Sequence, residues 1–186
     1  MRLDLEPPRR PVGGGLLSFP WGVFRPLEGT YTGVRAPPKT MAADTFVERS
    51  PVDVLRVRAD LSSEGPAAAF ERLEAKLSGL RGRRFYGAIH SGAVGLEYFA
   101  CVERRAEDDP RELGAESFEL PGGLYVRRKI EEWPDVVRRG QLPVEARDMI
   151  ARYAHDPSRP ELEFYRSSSE LHLLVPVLNR QVRGGP

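Results

Sequence analysis

The 186-residue sequence predicts an α+β domain built from two copies of a β-α-β-β unit related by a pseudo-twofold axis. Its antiparallel sheet carries helices on one face and a ligand pocket between the repeats. Three observations predict this. Alternating apolar stretches separated by Gly and Pro read as strands, two stretches with apolar residues at three- and four-residue steps read as helices, and the order strand, helix, hairpin occurs twice.

Residues 1–44 hold seven of the 17 prolines and the Gly13-Gly14-Gly15 run, so this arm is expected to be irregular. Its Leu16, Leu17, Phe19, Trp21, Phe24 and Tyr31 are too apolar for a solvated tail, and the arm is expected to dock in part on the domain that follows. Val52 to Ala59 reads as the first strand, with arginines interleaved among Val and Leu. Gly65-Pro66 opens a helix on which Ala67, Phe70, Leu73, Leu77 and Leu80 share a face, predicted to end near Gly79 or Gly82. Phe85 to Ser91 and Leu96 to Glu103 follow as a hairpin around Gly92-Ala93-Val94-Gly95.

The charged, breaker-rich stretch 105–114 divides the repeats, expected over about 45–104 and 115–180 of a domain spanning 45–180, with 181–186 a tail. In the second repeat Phe118 to Ile130 is extended but interrupted at Pro121-Gly122-Gly123, and Pro143 to Ala154 is helical with Ala146, Met149, Ile150 and Tyr153 on one side. Glu161 to Ser167 and Glu170 to Leu178 form the closing hairpin, in which Pro176 marks an interruption or an edge. Laying Phe46 to Pro51 over Phe118 to Pro121 with a gap, and Phe85-Tyr86 over Phe164-Tyr165, sets Glu163 against Arg84 and Tyr165 against Tyr86.

Composition excludes several function classes. The 28 Lys and Arg against 27 Asp and Glu leave a net charge of +1, which draws the chain neither to nucleic acid nor to anionic membranes. The basic cluster Arg127-Arg128-Lys129 and Arg138-Arg139 is interspersed with Glu131, Glu132 and Asp135 and reads as a solvated face. Cys101 alone forms no intrachain disulfide and reads as a small buried apolar residue. Neither a spanning apolar run nor a signal peptide is apparent, so a cytoplasmic location is expected. His90, His155 and His172 have no metal-ligand spacing, and neither a metal nor any other cofactor is expected. No Gly-x-Ser-x-Gly elbow or helix-turn-helix pattern occurs.

The stretch Leu162-Glu163-Phe164-Tyr165 focuses the functional reading. Period-two alternation sets Glu163 and Tyr165 on one face of a strand and Leu162 and Phe164 on the other. With the apolar pair toward a helix, the acid and phenol would line a pocket on the opposite face. Tyr86, Tyr98, Tyr125, Trp133 and Tyr165 are candidate ring walls for a cation, each worth roughly 0.5–2 kcal/mol according to desolvation. Core packing explains Tyr125 and Trp133 equally well. Trp21 is a candidate lid or a simple staple for the arm.

Phe99-Ala100-Cys101-Val102, Leu120-Pro121-Gly122-Gly123-Leu124-Tyr125, Glu163-Phe164-Tyr165 and Leu174-Val175-Pro176-Val177, in this order, resemble the GyrI-like family, over residues 45–180. That family includes the effector-binding domains of AraC- and MerR-type multidrug regulators. The resemblance implies a binder of hydrophobic, aromatic or cationic compounds with Glu163 at the ligand; the aromatic candidates Tyr165, Tyr125, Trp133, Tyr86 and Tyr98, and Trp21 of the arm, would stand around it, and without a DNA-reading module the chain is expected to act as a stand-alone binder. Some stand-alone members hydrolyse cyclopropane-bearing natural products. The alternative that this implies is a ring-opening hydrolase serving detoxification, with Glu163 as its acid or base and Tyr125 or Tyr165 assisting.

Overall fold

The computed structural model describes residues 43–60, 65–92 and 95–178. Trp21 and the rest of the arm's apolar residues lie outside them. Eight strands and four helices follow in the order β1 (Thr45–Arg49), β2 (Val52–Ala59), α1 (Gly65–Glu74), β3 (Phe85–Gly92), β4 (Gly95–Glu103), α2 (Pro110–Leu113), β5 (Glu116–Leu120), β6 (Gly123–Glu131), α3 (Trp133–Arg138), α4 (Leu142–Arg152), β7 (Glu161–Tyr165) and β8 (Glu170–Pro176). All strand pairs are antiparallel, in the spatial order β1-β6-β8-β7-β3-β4-β2-β5.

Proline explains why each repeat opens with a broken strand. Thr45↔Arg127 through Arg49↔Gly123 and Val52↔Leu120 through Arg56↔Glu116 keep one register, interrupted where Ser50-Pro51 lies opposite Pro121-Gly122. A ring nitrogen that cannot donate to the ladder bends both strands at the same height. The two bent strands pair along their whole length, so the sheet turns back on itself as a curled half-barrel.

Exchanging the repeats reverses the strand order onto itself, with β1, β2, β3 and β4 equivalent to β5, β6, β7 and β8. Register makes this residue-specific. Arg56 pairs with Glu116 just as Arg127 pairs with Thr45. One position further on, Val57 pairs with Ala100 and Ala100 with Gly87, while Arg128 pairs with Leu173 and Leu173 with Glu163. Gly87 and Glu163 are therefore equivalent, and they pair with each other. The pseudo-twofold axis passes through them. This corrects the superposition read from the sequence: Glu163 matches Gly87 rather than Arg84, Tyr165 matches Ile89 rather than Tyr86, and Thr45–Arg49 lies over Glu116–Leu120 without a gap. Similar dipeptides misled the alignment because the repeats differ in the lengths of their helices and connections.

Both sheet faces are buried. On the convex face Phe70 and Leu73 of α1, Trp133 of α3 and Leu142 and Met149 of α4 pack on Leu55, Phe85, Ala100, Val126, Tyr165 and Leu173. The concave face gathers Val54, Tyr86, Phe99, Cys101, Leu120, Tyr125, Leu162 and Leu174. Helix α1 stops at Glu74, short of the predicted end, and its chain tightens through Lys76 N–H to Leu73 O (3.3 Å) and Leu77 N–H to Glu74 O (3.2 Å) before Ser78-Gly79. Strand β8 is internal, between β6 and β7, and Pro176 is its last residue.

Candidate functional site

Strand β7 alternates as expected, but the face it offers to the helices is the other one. Leu162 and Phe164 lie on the concave side, whereas Glu163 and Tyr165 point beneath the helices. The pattern of β7 alone does not distinguish the faces, because Leu162 and Tyr165 are both buried. Placing the acid under helices gives it a dry surround: Glu163 is 7% exposed.

Three strands build its immediate shell. Tyr98 on β4 and Tyr165 on β7 each donate a phenolic hydrogen bond of 2.7 Å to the same oxygen, Glu163 Oε2, and their own oxygens are 3.2 Å apart. Glu163 Oε1 has no hydrogen-bond partner among the described residues. Gly87 on β3, between β4 and β7, leaves the room for this arrangement. A Cβ there would lie 2.1 Å from the Tyr98 hydroxyl and 2.6 Å from Glu163 Oε2.

Aromatic rings close the shell. The Tyr165 ring meets Phe70 of α1 edge-on at 5.3 Å and Trp133 of α3 at 5.1 Å, and Phe70 also approaches Phe85 at 6.4 Å. The Trp133 indole N–H donates to Ser167 O at 3.0 Å, which fixes the ring as α3 begins. Burial raises the Glu163 pKa, and the hydrogen bonds from Tyr165 and Tyr98 oppose that rise. Burial and the neighbouring carboxylate push both phenols well above their ordinary range, so they remain donors. The result is a carboxyl group with one oxygen clamped by two phenols and one without such a partner, in a dry setting that makes its ionisation harder than in water.

The structure thus brings together Glu163, Tyr98, Tyr165 and Trp133 from the sequence candidates. It separates Tyr86 and Tyr125, which lie across the sheet. Tyr125 donates to Pro121 O at 3.0 Å, with the Arg49 and Arg159 guanidiniums 5.5 and 4.9 Å from its ring centre, so it is not placed to assist Glu163. Phe70 and Gly87 are the members that sequence reading missed. Phe70 was visible only as one apolar position on a helix, whereas a glycine inside an otherwise apolar strand was a usable signal of close approach.

Among the described residues, no group of three or more His, Cys, Asp and Glu side chains is placed to hold a metal ion. None of their helices is long and apolar enough to cross a membrane.

No family model matches the sequence, and no curated protein sequence matches it. Solved structures do match the fold. An integron cassette protein from the mobile metagenome of Vibrio cholerae aligns at a TM-score of 0.54 and 16% identity, over 74% of this chain and 97% of that one. The protein SAV2435, solved bound to tetraphenylphosphonium, aligns at a TM-score of 0.50 and 14% identity, over 74% of this chain and 95% of that one. These likenesses show a shared α+β fold, consistent with the GyrI-like resemblance.

Proposed function

We propose that the chain binds small hydrophobic organic cations at Glu163, beneath α1 and α3. The observation that carries this reading is the carboxyl group itself, buried among aromatic rings, with two phenols on Oε2 and no hydrogen-bond partner for Oε1 among the described residues. A hydrated metal ion or a strongly hydrated amine gains little there, since it gives up more solvation than one carboxylate returns. A bulky cation with diffuse charge loses little on leaving water and gains both the carboxylate and the rings. The ligand solved with SAV2435 is of this kind, which supports the reading. Entry requires the Phe70 and Trp133 rings to part from Tyr165.

Calorimetric titration of the full chain with tetraphenylphosphonium tests the proposal. Saturable binding that weakens at least tenfold in Glu163→Gln is expected; no binding, or binding indifferent to that substitution, overturns it. A second use of the same carboxyl, as the acid or base that opens a strained electrophilic ring, rests on its raised pKa. Incubation with a cyclopropane-bearing alkylator reads it directly. A product heavier by one water, absent with Glu163→Gln, establishes hydrolysis, and recovery of the compound unchanged removes it.

A further inference from the structure

The concave face carries a different chemistry from the Glu163 side. Tyr86 and Phe164 stack there at 5.0 Å. The Arg49 guanidinium lies 5.4 Å from the Tyr86 ring centre, and its Nη1 is buried without a hydrogen-bond partner. Continuing the β3–β7 register one step past Phe85↔Tyr165 sets Arg84 opposite Arg166. Two cations side by side across strands repel unless an anion lies between them.

Each of the two arginines has one carboxylate at the long end of ion-pair range, and that of Arg166 is shared. Arg84 reaches Glu103 at 3.6 Å and Arg166 reaches Glu170 at 3.5 Å, while Glu170 also serves Lys129 at 3.0 Å and His172 at 2.8 Å. Arg83, Arg84, Phe164, Tyr165, Arg166 and Ser167, together with the carboxylate of Glu170, line a groove of about 450 Å³ at this end of the sheet. The neighbouring Arg83 adds no free charge, being engaged by Asp108.

We infer that this groove is an anion site, at which Arg84 and Arg166 take the carboxylate or phosphate of an organic anion beside the Tyr86–Phe164 stack, with Arg49 as a third cation behind it. Arginine suits the task because its planar fork meets either oxyanion with two parallel hydrogen bonds. The arginines of the groove do not touch Glu163, which lies with Tyr165 on the helix-covered face of the sheet, although Tyr165 also lines the groove.

The groove contains its own reporter, because Trp133 donates to the carbonyl of its wall residue Ser167. In full-length Trp21→Phe protein, where Trp133 is the remaining tryptophan, benzoate and inorganic phosphate are titrated separately at low salt. Calorimetry and fluorescence are both followed, against sodium chloride of equal ionic strength. Saturable heat with either anion beyond the chloride control, weakened at least tenfold by Arg84→Gln with Arg166→Gln and unchanged by Glu163→Gln, is the expected result. Saturation by benzoate alone assigns a carboxylate, and by phosphate alone a phosphate. Both arginines are largely exposed, so the double variant is expected to fold, and the single Arg166→Glu variant must also lose binding. Heat that does not exceed the chloride control, or that survives the double variant, overturns the inference.

Discussion

Gly87→Ala is expected to destabilise the protein although strand propensity argues the reverse. Gly in a strand interior costs roughly 0.5–1 kcal/mol relative to Ala, so in open space the substitution would stabilise. Here the new Cβ lies 2.1 Å from the Tyr98 hydroxyl, 2.7 Å from the ring carbon that bears it and 2.6 Å from Glu163 Oε2. A ring carbon 2.7 Å away cannot be relieved by turning a hydroxyl, so the Tyr98 side chain has to shift. The shift gives up its 2.7 Å hydrogen bond to Glu163. A hydrogen bond to a charged group contributes about 1.5–3 kcal/mol, and overpacking costs a further 1–3 kcal/mol or so. Less the propensity gain, the net loss is about 2–5 kcal/mol. Urea unfolding measures it as a lower midpoint at unchanged slope. Repeating the substitution in a Tyr98→Leu background is the control, because most of the clash is then absent and the cost of Gly87→Ala falls by more than half. A Gly87→Ala protein as stable as the parent, or an equal cost in both backgrounds, refutes the account of the site as a space vacated for two phenols.

Two further outcomes follow from buried charge. The Glu163 carboxyl is raised above its ordinary 4.5 in the folded chain, so as pH climbs from that value to the folded one the unfolded chain ionises first and stability falls, then levels off. Glu163→Gln lacks this loss. Its stability relative to the parent rises with pH from the ordinary carboxylate range until the folded carboxyl has also ionised, by about 1.4 kcal/mol for each pH unit separating the folded from the unfolded titration, and a flat difference would contradict the burial argument. Arg83→Met strips Asp108, bonded to that guanidinium at 2.6 and 2.7 Å and 4% exposed in its side chain, of its buried cation and leaves it only the 2.8 Å hydrogen bond from the Arg105 N–H. A loss of about 3–5 kcal/mol is expected near neutral pH. It shrinks as acid protonates Asp108, whose pKa the Arg83 hydrogen bonds hold below its usual range; a cost that stays constant down to about pH 2 would refute this.

Local pattern recovered the elements whose boundaries are marked by local chemistry. Val52–Ala59 and the two hairpins stand out through alternation and flanking breakers, and α4 through its 3.6-residue period. Helix α1 was read too long because Leu77 and Leu80 continue its apolar stripe after the backbone has left the helix. Helices α2 and α3 are only four and six residues long, too short for a period to register. At the site, the coupling of Glu163 to Tyr165 is a two-residue relation and was legible. Its coupling to Tyr98, 65 positions away, depends on β3 lying between β4 and β7, which only the strand order fixes. The same limit applies to Tyr86 and Tyr125. Their residue type fits a ring wall, and the side of the sheet they occupy follows from registers that similar dipeptides do not encode.

The position of Glu163 on the axis also bears on why the two repeats belong to one chain. In a symmetric dimer of single repeats, any residue on the axis faces its own copy, giving either two acids pressed together or two glycines and no acid at all. Joining the copies covalently lifts that restriction. One half keeps the carboxylate, the other contributes only space, and that space admits a phenol from β4. The centre of the fold, where symmetry would be strictest, is thus the place where the halves have to differ.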